Sequence, residues 1–180
     1  MSEIVIISGS TATLSGSEQV LRYFGSLLHD RQFSVTHMSV KDVAYQDLFD
    51  MNINSPKIKQ MTALIENAHG ILIGSPVYKG AYSGVLKAFI DLLPQDVLKH
   101  KPVLPIMTGG SPSHLLALEY TLKPLLATLK AHNLKGLYLL DQTINKQREI
   151  PIVDEETIQR ARKQLDYFCK LVVHRQTTPI

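Results

Sequence analysis

Apolar residues along the chain follow two rhythms. Four short runs, 4–7, 70–74, 103–108 and 134–140, are rich in Val, Ile and Leu and do not alternate with polar residues, the pattern of strands buried on both faces of a parallel sheet. A fifth run, 34–38, is more polar and suits an outer strand. Between these runs, apolar side chains recur at three and four residues, as in helices with one packed face. The first stripe is Val20, Leu21, Phe24, Leu27 and Leu28. A second begins with Ser55 as cap and Pro56 at the first helical position, and continues through Ile58, Met61, Ile65 and Ala68. Ser83 caps a third, which buries Val85, Leu86, Phe89, Leu92 and Leu93 and stops at Pro94. The fourth covers about 113–131, and Asp154 opens a fifth that buries Ile158, Ala161, Leu165, Phe168 and Val172. This alternation predicts one α/β domain over 1–173, with helices on both faces of the sheet, and a frayed tail over 174–180. Pro105 falls inside a central strand, where its missing N–H predicts a bulge or local irregularity.

Composition narrows the picture. With 180 residues, 44% apolar and 19% charged, the chain is long enough for a substantial core and is not a disordered sequence. A net charge of +3 suits a small anionic ligand and makes no case for nucleic acid. The seven histidines show no repeated ligand spacing, so no metal is expected. Cys169, the single cysteine, falls on the apolar face of the last helix and reads as a core thiol. A lone cysteine, the lack of a leader and the lack of an apolar segment of about 18 residues predict a cytoplasmic protein away from the membrane.

In an open parallel sheet, ligands bind beyond the carboxyl ends of the strands, and three loops there carry chemistry. SGSTATLSGS (8–17) holds neither a dinucleotide fingerprint nor a nucleotide-triphosphate loop, but it places Ser8, Ser10, Thr11, Thr13, Ser15 and Ser17 just before a helix. Hydroxyls and helix N-terminal amides can surround a phosphate monoester; the same residues also suit a polar turn supplying one helix cap. SPVYKGAYSG (75–84) offers Tyr78 and Lys79 to a flat, electron-poor ring, or covers the sheet edge with Tyr78 and Tyr82. TGGSPSH (108–114) has two glycines whose amides can meet a carbonyl-rich heterocycle. His114, in the first turn of the following helix, reads as a surface or packing residue.

Together these loops resemble those of the NAD(P)H-dependent FMN reductases of the flavodoxin-like superfamily, above all the alkanesulfonate-utilisation type. The resemblance covers roughly 4–140 and is densest in SPVYKGAYSGVLKAFIDLLP (75–94) and TGGSPSHLLALEYTLKPLL (108–126). It implies a flavodoxin-like three-layer sandwich with a five-stranded parallel sheet of order 2-1-3-4-5. It also implies FMN bound noncovalently and reduced by NADPH or NADH. Phosphate contacts would fall on Ser10, Ser15 and Ser17, ring contacts on Pro76, Val77, Tyr78 and Lys79, and pyrimidine-edge contacts on Thr108, Gly109 and Gly110. Many relatives carry Pro-Arg where this chain has Thr11 and Ala12, which removes a charge partner for the phosphate. The resemblance further implies that reduced FMN passes to a monooxygenase of sulfonate sulfur metabolism. It assigns Tyr120 the catalytic marker role, at a π-helical insertion in the interface of a homo-oligomer, dimer or tetramer. Independently, Pro124 lacks the N–H that the Tyr120 carbonyl would receive in an α-helix, which predicts a widened or kinked turn there. The alternatives are a quinone or azo reductase that retains FMN and a flavodoxin-type electron carrier; a pI near 8.9 and the absence of Trp weigh against the carrier.

Overall fold

The computed structural model describes residues 3–177. Its middle layer is a parallel sheet in which β1 (Glu3–Ser8) lies between β2 (Ser34–Ser39) and β3 (Gly70–Pro76), with β4 (Pro102–Gly109) beyond β3. Two short strands, β5 (His132–Asn133) and β6 (Leu137–Leu140), share the outer side of β4. The order is thus the flavodoxin-like 2-1-3-4-5, with the fifth position divided between two strands.

The expected continuous strand over 134–140 is therefore corrected, and its break faces Pro105. Three residues, Leu134, Lys135 and Gly136, stand opposite Leu104 and Pro105, so the register shifts by one residue between β5 and β6. Gly136 takes φ +78°, and a Cβ there would lie 2.6 Å from the Pro105 carbonyl oxygen. A proline without a ladder donor is accommodated by a bulge in its neighbour.

Side chains alternate across the sheet, and both faces are covered, which is why the strands read as unbroken apolar runs. Ile4, Ile6, Leu72 and Ile106 pack with Leu21 and Phe24 of α1 (Gly16–Asp30) and with Phe168 of α7 (Glu155–Thr177). Val5, Ile7, Ile73 and Met107 face the other layer, with Ile58 from Pro56–Asn67, Phe89 from Gly84–Ile90, and Leu122.

In chain order the remaining helices are α2 (Tyr45–Phe49), α3 (Pro56–Asn67), α4 (Gly84–Ile90), α5 (Leu115–Ala117) and α6 (Lys123–Thr128). Several differ from expectation. No stripe announces α2, because Tyr45 and Phe49 point to solvent. Ser55 precedes α3 without capping it by its side chain; its hydroxyl instead donates to Asp47 Oδ2 at 2.6 Å. Ser83 does cap α4, accepting from the Leu86 amide at 3.1 Å, but the helix ends at Ile90, before Pro94. The single helix expected near 113–131 is a 3-10 turn (Pro112–His114), α5, a π-helical turn (Leu118–Leu122) and α6. Asp154 caps α7 through the Thr157 amide. α7 runs to Thr177, past the His174 where a frayed tail is expected; residues 178–180 lie outside those described.

Candidate functional site

Three loops meet at the carboxyl edge of β1, β3 and β4, and backbone hydrogen bonds join them. The Gly9 amide donates to the Gly74 carbonyl at 2.7 Å, and the Val77 amide donates to the Thr108 carbonyl at 2.7 Å. Ser83 closes the set: its hydroxyl donates to the Gly9 carbonyl at 2.5 Å, while its amide donates to Ser75 Oγ at 2.9 Å. Gly9 must be glycine for this approach, since a Cβ would lie 2.9 Å from Leu86 and 3.1 Å from the Gly74 carbonyl.

The first loop is a cradle of hydroxyls without a cation. Ser10, Ser15 and Ser17 are buried, and exposed residues 11–14 run between the first two. Ser15 is the N-cap of α1, accepting from the Glu18 amide, and its hydroxyl pairs with that of Ser17 at 2.8 Å. Ser17 has no exposed surface, and its hydroxyl is engaged with that of Ser15. Ser10 Oγ accepts from the Ala12 amide at 3.2 Å, and Ser8 Oγ is buried without a hydrogen-bond partner. An unsatisfied hydroxyl costs roughly 1 to 3 kcal/mol, and it fits a site built to receive a polar group. Neutral donors at a helix N-terminus suit a phosphate monoester.

The second loop forms a two-residue hairpin turn. Tyr78 and Ala81 exchange backbone hydrogen bonds of 2.8 and 3.2 Å, and the central residues Lys79 and Gly80 have φ of +51° and +79°. Two left-handed residues make a mirror-image type I turn, and a lysine in the first of them stores strain of roughly 1 to 3 kcal/mol. Pro76 and Val77 are half-buried, and Tyr78 is exposed, so a ring-sized surface is available beside the turn.

The third loop is held from outside by a residue that sequence reasoning missed. Tyr138 of β6 donates its hydroxyl to the Ser111 carbonyl at 2.5 Å and fills the space above Gly109, where a Cβ would lie 2.6 Å from it. Burial, then the charge of Asp141, holds the Tyr138 phenol above its ordinary pKa, so it stays a donor. Thr108 and Gly109 are buried and Gly110 is exposed. Asp141, just beyond β6, is a second missed residue: its carboxylate oxygens lie 3.6 Å and 4.0 Å from where Cβ atoms would stand on Gly16 and Gly110. The signal for both was a tyrosine and an acid at the carboxyl end of the outer strand. Ser83 was anticipated as a cap but not as the tie between loops.

Tyr120 is not brought into this group. It lies on the π-helical turn, is 75% exposed, and among the described residues its hydroxyl has no hydrogen-bond partner. The turn itself is explained: the Lys123 amide donates to the Leu118 carbonyl five residues back, and the Thr121 hydroxyl serves the Ala117 carbonyl at 2.5 Å. Proline at 124 withholds the normal donor, and the ladder widens. His114 Nδ1 is buried without a partner, and Cys169 is half-buried among apolar side chains with its thiol pKa pushed up by burial. Beside the cradle, Thr11 borders an apolar groove of about 750 Å³ between α2 and α4, lined by Val40, Val43, Leu48, Phe49 and Val85. Among the described residues, no group of His, Cys, Asp and Glu could hold a metal ion, and no helix is long and apolar enough to cross a membrane.

The family model described as NADPH-dependent FMN reductase matches residues 2–145. A protein of Pseudomonas putida named FMN reductase (NADPH) is 40% identical over 142 residues, 78% of this chain and 72% of that protein. Another from Pseudomonas putida, the NADH-dependent FMN reductase SfnF, is 28% identical over 178 residues, 94% of each chain. Among solved structures, the apo form of the NADH:FMN oxidoreductase EmoB superimposes with a TM-score of 0.84 at 30% identity, covering 93% of this chain and 88% of that one.

Proposed function

Because the chain belongs to the NADPH-dependent FMN reductase family, and is thus an NAD(P)H:FMN oxidoreductase, we propose that its flavin seats on the three loops at the carboxyl edge of the sheet. Ser10 and Ser15, with Ser17 behind them, would hold the phosphate. Pro76, Val77, Tyr78 and Lys79 would meet the ring, and Thr108, Gly109 and Gly110 its pyrimidine edge. Bound FMN supplies the redox chemistry, taking up a hydride from the reduced nicotinamide. The chain supplies placement and electrostatics. Hydride transfer requires the two rings to be held face to face at about 3 to 3.5 Å, and the exposed surface beside the Tyr78–Ala81 turn leaves room for the second ring. The Gly109 and Gly110 amides, with the ammonium of Lys79, would stabilise negative charge that develops at the pyrimidine edge. Tyr138 keeps those amides in place by anchoring the Ser111 carbonyl.

The reading extends to the product's fate. FMN is a substrate that exchanges, and reduced FMN goes to a separate monooxygenase, in sulfonate sulfur assimilation. Thr11 and Ala12 in place of the Pro-Arg pair support exchange, because the cradle has no guanidinium. Tyr120, with Leu115 and Leu116 exposed nearby, would lie in the interface of a homo-oligomer and act on the site from there.

The observation that carries the proposal is the joining of the three loops through Gly9, Ser83, Val77 and Thr108 at one edge of the sheet. The test is to record the visible spectrum of purified protein, then follow NADPH and NADH oxidation with and without added FMN. Colourless protein whose turnover depends on added FMN supports the reading. Protein that keeps stoichiometric flavin and reduces quinones or azo compounds at a rate independent of added FMN supports a retained prosthetic group.

A further inference from the structure

The cradle is bordered by an acid on its β6 side. Asp141 reaches from the end of β6 until its Oδ1 is 3.6 Å from the Cβ position of Gly16, the first residue of α1, and its Oδ2 is 4.0 Å from that of Gly110. The carboxylate therefore stands between the N-terminus of the phosphate-facing helix and the glycine pair. Glu18, in the first turn of the same helix, is 6% exposed; one of its oxygens pairs with Arg22 at 3.0 Å and the other is buried without a partner. No Lys or Arg occurs in residues 8–17, and the cation bordering Thr11, Lys41, lies on the β2 side of the loop, away from β6.

We propose that Asp141 is a specificity-determining residue that weakens the hold on the flavin phosphate and so sets how readily FMN leaves. This rests on the phosphate placement proposed above. A phosphate monoester carries about −1.5 to −2 charges at pH 7, whereas the side chain of riboflavin ends in a neutral hydroxyl. An exposed carboxylate at this rim of the cradle therefore penalises FMN and leaves riboflavin nearly untouched, narrowing the gap that the helix N-terminus and the serines create in favour of FMN. The alternative role for an acid here, accepting hydrogen bonds from the ribityl hydroxyls, would favour both flavins equally.

The two roles separate on Asp141→Asn, which preserves shape and removes charge. FMN and riboflavin are titrated by quenching of their own fluorescence against wild type, Asp141→Asn and Ser10→Ala. The expected result is FMN bound about fivefold to tenfold tighter by Asp141→Asn, riboflavin within about twofold of wild type, and a gain for FMN that shrinks in high salt. Desalted Asp141→Asn protein should then retain yellow flavin that wild type releases. Parallel weakening of both flavins, or no change in either, overturns the role given to Asp141. The Ser10→Ala control keeps the two failures apart. If it weakens FMN but not riboflavin while Asp141→Asn changes nothing, the phosphate placement stands and this inference falls; if it fails to discriminate, the placement itself falls.

Discussion

The loop after β1 and the segment after β4 leave the same edge of the sheet but are completed differently. In the first, the serines are buried and held by local hydrogen bonds: Ser15 pairs with Ser17, Ser10 receives the Ala12 amide, and Ser83 ties Gly9 to the neighbouring loop. In the second, Leu115, Leu116 and Tyr120 stand 49%, 57% and 75% exposed on a helix whose ladder has been widened at Pro124. Burial of an apolar side chain of that size gains about 1.5 to 3 kcal/mol, a gain this chain does not take for itself. One region satisfies its polar groups internally, and the other leaves apolar surface exposed. Substitutions in the first should alter flavin binding without altering assembly, and those at Leu115, Leu116 and Tyr120 the reverse.

The largest loss of flavin binding should come from Gly109→Ala, at the end of β4. The added methyl would press on the Tyr138 hydroxyl, an overpacking cost of about 1 to 3 kcal/mol. FMN affinity should fall by roughly tenfold to a hundredfold, checked by fluorescence titration, with assembly unchanged in sedimentation. Ser17→Ala comes next. It leaves Ser15 without its hydroxyl partner, and at about 1 kcal/mol it should weaken FMN severalfold while riboflavin binding stays as it was.

Tyr138→Phe should cost about 1 kcal/mol of stability, and its pH dependence carries a sign. The folded-state pKa of Tyr138 lies above the ordinary value of 10.0, because of burial first and then the Asp141 charge. Its stabilising contribution is intact below that value and is lost as pH rises through the folded one. In alkaline thermal melts the wild type should lose stability more steeply than Tyr138→Phe, and equal slopes would remove Tyr138 as the anchor of the third loop. Lys79→Asn keeps a residue that tolerates the left-handed turn but deletes the charge. Melting should move by less than about 0.5 kcal/mol, while kcat falls severalfold if the ammonium stabilises the reduced pyrimidine edge. The smallest effect on the protomer should come from Tyr120→Ala, with stability within about 0.5 kcal/mol. Its effect is on the oligomer seen in sedimentation. Flavin binding lost with assembly intact would break the comparison between the two regions.

Much of this was legible in the sequence, for identifiable reasons. Strands buried on both faces leave unbroken apolar runs, so β1, β3 and β4 could be read directly, and the rule that ligands sit beyond strand ends pointed to three loops. Pro105 announced an irregularity, but not that its neighbour would absorb it at Gly136. Pro124 announced the widened turn at Tyr120. The missed residues are those whose role depends on a partner far along the chain. Tyr138 and Asp141 meet loops that lie 27 or more residues earlier, and Ser55 serves Asp47 of a helix that has no buried stripe to reveal it. Local pattern carries no record of such pairings.

The most direct test of the account is a solved structure of the protein with FMN. It should show the phosphate at Ser10 and Ser15 against the N-terminus of α1, the ring against residues 76–79, and its pyrimidine edge on the Thr108–Gly110 backbone. A flavin lodged instead in the apolar groove between α2 and α4, with the serine cradle still closed on itself, would contradict it.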